Sequence, residues 1–385
     1  MNRFHNREKL FFPNLDGLRT IAFFMVFSEH VFWSAFKYLE IKSPILLHSL
    51  YTIFGNGGIG VSIFFVLSGF LITYLILKEQ EGNGRLDVKA FYIRRSLRIW
   101  PLYFILLLFI FFIYPFILNK FNLPVFENPA ETWKYFAFLS NFDMIKIHES
   151  GKEAFMHSGV TWSIAIEEQF YFIWPLLFFF ISRKFQPLIF SSFILLTFIF
   201  RFLHYFDPTV LYFHSLGVCS DLALGGLAAY ISLTYTSQLL KWLPTNNFTR
   251  FLIYSIGISF VILNEFLITW SLWPVFGRFT NTLFFTYIIL DQNFSVTNFF
   301  KFSRFKLITQ LGKYTYGLYL LHPIGYMLVK FPCDFLDITT TSFFSRFLFS
   351  IVVLLFTILL SLLSYHFLER PFLVLKNRFS YISKE

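Results

Sequence analysis

The sequence predicts an all-α protein, a polytopic membrane bundle of about ten transmembrane helices, and three observations carry that expectation. Of its 385 residues, 56% are hydrophobic and only 14% are charged, against roughly 25% charged in an average soluble domain. Such a chain cannot clothe a soluble globule in polar surface. Apolar runs of about 18 or more residues, each able to cross a hydrocarbon core of about 30 Å as a helix, recur along the whole length. Most of the 32 Lys and Arg residues fall in alternate connecting segments, the pattern by which positive charge holds loops on the cytoplasmic side.

The first span, 18–36, follows Arg3, Arg7 and Lys9. No small-residue cleavage site comes after it, so it is expected to stay attached. The second, 58–77, starts at Gly57-Gly58-Ile59-Gly60, where small residues let helix backbones approach closely. The third, 99–118, is preceded by a basic loop from Lys78 to Arg98. The next loop, from Asn119 to Thr161, is the longest, yet it falls below the roughly 50 residues at which folded domains begin. Spans at 162–182, 186–204, 216–234, 250–266, 270–290, 313–331 and 344–367 complete the reading. An even count puts both termini on one side, and the Lys/Arg bias makes that side the cytoplasm. The expected organisation is therefore a cytoplasmic segment over 1–17, a transmembrane domain over 18–367 and a cytoplasmic tail over 368–385, in the cell inner membrane.

Other classes fit less well. The net charge of +10 is spread over short loops rather than gathered on one face, which suits topology better than nucleic acid. Cys219 and Cys333 are too few for a disulfide framework, and neither has a neighbour at metal-ligand spacing, so no metal is expected. No internal repeat is visible, which counts against many secondary transporters.

Charged groups inside a span cost about 2.5–3.5 kcal/mol each on insertion scales, so they mark pairs or functional sites. The first span carries Arg19, Glu29 and His30. At 3.6 residues per turn, Arg19 and His30 share one helix face about 16 Å apart, with Arg19 at the inner rim and His30 beyond the midplane. An intramembrane His is as often a structural hydrogen-bonder as a catalyst. The fourth span places Glu167 at a depth matching His30, which leads to the expectation that Glu167 orients His30 and stabilises its charged form. The bland alternative is that Glu167 and Glu168 favour a helix N-terminus. Arg94, Arg95 and Arg98 beside the third span serve equally as topology determinants or as bidentate phosphate binders. Trp162, Asp221 and His322 are further candidates for contact with substrate. His322, just before Pro323, serves equally well to satisfy a carbonyl freed by the proline.

These residues resemble a known family. Asn14-Leu15-Asp16-Gly17-Leu18-Arg19 followed by His30 is similar to the Arg, ten residues, His signature of the membrane acyltransferase 3 family. The segments Gly60 to Phe70, Arg94 to Tyr103, Trp162 to Pro175, Tyr316 to Pro323 and Ser364 to Phe372 resemble its other blocks, in the same order and over nearly the whole chain. One departure is Cys219, where relatives often carry Arg two residues before the position of Asp221. The resemblance implies an O-acyltransferase that takes acyl groups, acetyl above all, from a cytoplasmic coenzyme A thioester and modifies a cell-surface polysaccharide or glycolipid. It also implies a catalytic role for His30, with Arg19 as the matching arginine. Some relatives carry a further C-terminal hydrolase-like domain, which is not expected in a sequence ending soon after the tenth span.

Joined together, these readings give an expected mechanism. Arg19, Arg94, Arg95 and Arg98 hold the phosphates of acyl-coenzyme A, and the pantetheine arm carries the thioester up to His30. His30 acts as general base on an acceptor hydroxyl with Glu167 behind it. A covalent acyl-histidine is the variant. The rival class is a transporter or flippase in which His30, Glu167 and Asp221 relay protons. A further alternative is a non-catalytic glycan-binding partner on the same fold.

Overall fold

The computed structural model describes residues 12–36, 39, 42–121, 130–152, 156–267, 272–295, 297, 298, 300–336, 338 and 341–379. Arg3, Arg7, Lys9 and Lys384, which contribute to the expected charge bias, and Lys37, which falls in an outer loop, lie outside them. Every regular element among the described residues is helical. The main ones are α1 (Pro13–Phe27), α2 (Pro44–Phe54), α3 (Gly57–Asn83), α4 (Val88–Leu108), α5 (Ser140–Glu149), α6 (Thr161–Phe180) and α7 (Gln186–Leu203). They continue with α8 (Ser215–Thr234), α9 (Asn247–Leu267), α10 (Trp273–Phe294), α11 (Thr315–Phe335), α12 (Phe343–Ser364) and α13 (Arg370–Asn377).

Seven segments are long and apolar enough to cross a membrane: Pro44–Asn83, Val88–Lys120, Thr161–Phe180, Arg183–Leu203, Pro208–Thr234, Asn247–Asn264 and Phe343–Asn377. Helices α1, α10 and α11 occupy the other three expected spans, yet they fall outside this set. They are the polar ones, with Asp16 and Arg19 on α1, Arg278 and Asp291 on α10, and His322 and Lys330 on α11. A helix enclosed by protein rather than lipid can hold such groups.

Lipid tails are as apolar as leucine, so close packing and internal polar bonds, rather than hydrophobic burial, hold such a bundle together. The crossing of α3 and α8 shows the first device. A methyl group at Gly69 would collide with the carbonyl of Leu222, and one at Gly225 with the carbonyl of Val66. Only glycine at both positions lets the two backbones meet.

Buried ion pairs supply the second device. Arg278 on α10 donates from Nε to Oδ2 of the fully buried Asp221 on α8, at 2.8 Å. Arg201 on α7 gives Nε to the carbonyl of Pro274 at 3.0 Å and Nη1 to that of Gly217 at 2.9 Å. Below them Arg250 donates to Asp291 at 2.9 Å, both side chains fully enclosed. These bonds tie α7, α8, α9 and α10 into one frame beside α1 and α3.

Where α1 ends, the backbone widens into a π-helical turn, Ser28–Phe32, before resuming as a helix over Trp33–Phe36. Such single-turn insertions recur at functional sites. Here the turn carries Glu29 and His30, and Glu29 accepts the backbone N–H of Gly57 at 3.0 Å, fastening the turn to the start of α3.

Candidate active site

A deep cavity runs between α1, α3, α4, α6, α11 and α13. Its α3 wall, from Phe64 to Glu79, spans about 22 Å at 1.5 Å per residue. Arg19, Arg94, Arg95, Arg98 and Lys376 all contribute to its lining, with Arg94 paired to Glu79 at one end of that wall. All four arginines singled out in the sequence therefore line one cavity. Phe64, Phe65, Ser163 and Tyr319 line it toward the other end of that wall, where the Phe64 and Tyr319 rings meet at 5.6 Å.

The arginines differ in what they are already doing. Arg19 is paired with Asp16 one turn earlier. Arg94 gives Nη2 to Glu79 at 2.6 Å and Nη1 to the carbonyl of Phe379 at 2.8 Å, so it also pins the chain after α13. Arg95 lies 5.6 Å from the ring centres of both Phe91 and Tyr171, a distance at which a guanidinium is drawn to an aromatic face. Its Nε is buried without a hydrogen-bond partner. Arg98 makes no hydrogen bond or ion pair with another described residue. Two arginines thus reach the cavity with bonding capacity to spare.

Glu167 also lines the cavity, where its Oε2 accepts the hydroxyl of Tyr171 at 2.7 Å, and Ser68 bonds the same hydroxyl. The expected contact between Glu167 and His30 is not the one the structure makes. His30 Nδ1 instead bonds Nε2 of His322 at 2.8 Å. Matching depth on two helices says nothing about the direction in which each side chain leaves its helix. The π-helical turn also breaks the 3.6-residue count by which Arg19 and His30 were expected to share a face, and His30 does not line the cavity beside Arg19.

His30 lies outside the lining, bonded to His322, which follows the lining residue Tyr319 on α11. Tyr319 O–H lies 2.7 Å from Ser163 Oγ, and His322, 1% exposed, follows Tyr319 by one turn of α11. His30 itself is only partly buried. Ser163, Tyr319 and His322 stand between it and the cavity.

The remaining expectations fare differently. Asp221 is sealed and committed to Arg278, so it does not line the cavity. Trp162 is buried, packed 5.0 Å from the Tyr212 ring and 6.1 Å from that of Phe65, and it too lies outside the lining. Glu168 turns to the other face of α6 and accepts from Trp100 Nε1 at 3.0 Å. Cys219 and Cys333 are both free.

Sequence reasoning missed Ser68, Ser163, Tyr171 and Tyr319. For Tyr171 a signal was present, since it stands four residues after Glu167 on one helix and so faces it. Among the described residues no three His, Cys, Asp or Glu side chains converge as a metal site would require.

The comparisons with known proteins agree with this geometry. The profile of an acyltransferase domain matches residues 12–366. Peptidoglycan O-acetyltransferase OatA of Listeria monocytogenes is 33% identical over 182 residues, covering 46% of this chain and 25% of that protein. The protein named "Putative peptidoglycan O-acetyltransferase YrhL" of Bacillus subtilis is 27% identical over 386 residues, covering 94% of this chain and 55% of its own. The chain thus spans about half or less of the length of these relatives. No solved structure matches it. A helical membrane bundle with the arginine and histidine signature in place, matched by that profile almost end to end, belongs to the membrane acyltransferase 3 family.

Proposed function

We propose that this enzyme moves an acyl group, acetyl above all, from acyl-coenzyme A on the cytoplasmic side to a sugar hydroxyl of a cell-surface polysaccharide or glycolipid, with His30 as general base. The observation that supports the reading is the cavity: lined by four arginines and Lys376, about 22 Å long on its α3 wall against a hydrocarbon core of about 30 Å, and reaching Tyr319, one helical turn before His322 and its bond to His30. The names of the relatives supply the reaction class and suggest acetyl and glycan as its two halves.

In this reading Arg95 and Arg98 take the donor's phosphates through charge-assisted bonds, and Arg19 and Lys376 add positive charge around them. Glu167, held by Tyr171, lines the path of the pantetheine arm. The thioester passes Ser163 and Tyr319 to reach His30. An acceptor hydroxyl arriving from the outer side gives its proton to His30, and its oxygen attacks the thioester carbonyl carbon. The carbon–sulfur bond breaks, an ester bond forms, and the proton passes from His30 to the departing thiolate. The inner membrane, ten membrane crossings and cytoplasmic termini belong to this reading, since they put the basic mouth where coenzyme A is found.

Purified protein in liposomes tests it. Acyl-coenzyme A should acylate a saccharide acceptor, and His30→Gln should abolish the transfer. Flux of a solute or lipid without acylation would overturn the reading in favour of a carrier.

A further inference from the structure

The proposed base needs an unprotonated nitrogen aimed at the acceptor, and a neutral imidazole holds its single N–H hydrogen on either of two nitrogens. We infer that His322 is a positioning residue that fixes the hydrogen of His30 on Nδ1, and that Pro323 sets this arrangement through the backbone of α11. The inference deepens the reading of His30 as base and rests on it.

Pro323 lies inside α11 and has no N–H, so the carbonyl four residues earlier, that of Tyr319, loses its helical donor. His322 Nδ1 lies 2.6 Å from that carbonyl oxygen. A carbonyl only accepts, so the hydrogen of His322 is on Nδ1. In the neutral ring Nε2 is then a lone pair, and it faces His30 Nδ1 at 2.8 Å. The hydrogen of that second bond must come from His30. His30 Nε2 is left unprotonated, which is the nitrogen a general base uses.

The ring geometry supports a true bond. The two imidazoles have centroids 5.1 Å apart and planes within 14° of each other. With nitrogens at 2.8 Å, rings that nearly parallel can be so far apart only when they lie edge to edge, with the bond in the plane of both. The setting is rigid, since Phe23 and Phe27 press on His322 with ring centroids at 6.3 Å and 6.1 Å. The arrangement serves the purpose a carboxylate serves behind other catalytic histidines, holding tautomer and orientation. Here a neutral histidine anchored on a proline-freed carbonyl does so.

The test uses full-length protein in lipid. Nitrogen NMR of 15N-histidine-labelled wild type, at a pH where the rings are neutral and with His30 and His322 assigned by the spectra of His30→Gln and His322→Gln, should show both rings protonated on Nδ1. A His30 protonated on Nε2 in the wild type would overturn the inference alone. Kinetically, His322→Phe should lower kcat by about 100-fold, the scale of a general base held in the wrong state, with KM for acyl-coenzyme A unchanged. His322→Gln offers an amide oxygen to His30 and should recover most of the rate. Equal loss in both variants, or no loss in His322→Phe, would overturn it. Full activity in His30→Gln would overturn it as well, by removing the base on which it rests, and the wild-type spectrum does not depend on that result.

Discussion

At the scale of single residues, the four arginines of the cavity should separate on mutation. Arg98 makes no hydrogen bond or ion pair with another described residue, so Arg98→Ala strands no bonded partner, although its charge also acts on Glu167 and Glu369. Loss of one charge-assisted bond, about 1.5–3 kcal/mol, should weaken acyl-coenzyme A binding about 10- to 100-fold by titration calorimetry, with a smaller loss of thermal stability than in Arg94→Ala. Arg94→Ala behaves otherwise. It strands the carboxylate of Glu79, only 4% exposed, and should lower the unfolding temperature in detergent as well as binding. Equal effects of the two substitutions on stability would contradict this division. The arginines and His30 were legible in the sequence because charged groups beside or within apolar spans stand out. The partner of His30 was not, because His322 is far away in sequence and only its contact reveals the pairing. Even so, half of its environment was readable: a His directly before Pro323 is placed to satisfy the carbonyl that the proline frees, and the structure shows that bond.

At the scale of helices, the crossing of α3 and α8 and the ion pair beside it hold the cavity's wall in place. Gly225→Leu forces side-chain atoms against the carbonyl of Val66. Overpacking of this kind costs about 1–3 kcal/mol, and it should appear as a lower midpoint in thermal unfolding monitored by intrinsic tryptophan fluorescence. A variant as stable as wild type would show that the helices can separate without cost. Asp221→Asn leaves Arg278 buried without its counter-charge and should cost about 3–5 kcal/mol by the same measurement, whereas the pair Asp221→Leu with Arg278→Met should be far milder. The long apolar helices were legible because length and composition suffice to find them. The π-helical turn over Ser28–Phe32 was not, since it arises from tertiary ties such as the Glu29 bond to the Gly57 amide rather than from a local sequence signal. That turn is also what the straight-helix count from Arg19 to His30 could not anticipate.

At the scale of the whole molecule, polarity and burial trade places with the usual soluble pattern. Phe206, Phe180 and Phe367 are among the most exposed side chains, while Arg250 and Asp291 are sealed inside. The apolar surface needs lipid, and the charged interior supplies the fixed frame around the cavity. The expected count of ten crossings rests on α1, α10 and α11, whose polar residues face protein partners. A reporter fused to the C-terminus checks the proposed topology: a fluorescent protein there should be bright and alkaline phosphatase inactive, and the reverse pattern would place the basic mouth outside. α13 matters at this scale too, because Lys376 and Asn377 return to line the cavity.

The central claim is that donor and acceptor meet at His30 from opposite sides of the bundle. Sealed vesicles with acyl-coenzyme A at the basic mouth and saccharide on the other face measure this most directly, with donor binding and transfer followed in the same preparation. The account predicts acylated saccharide across the membrane in wild type, and in His30→Gln unchanged donor affinity with no transfer. Transfer that needs both substrates on one face, or that persists without the imidazole, would contradict it.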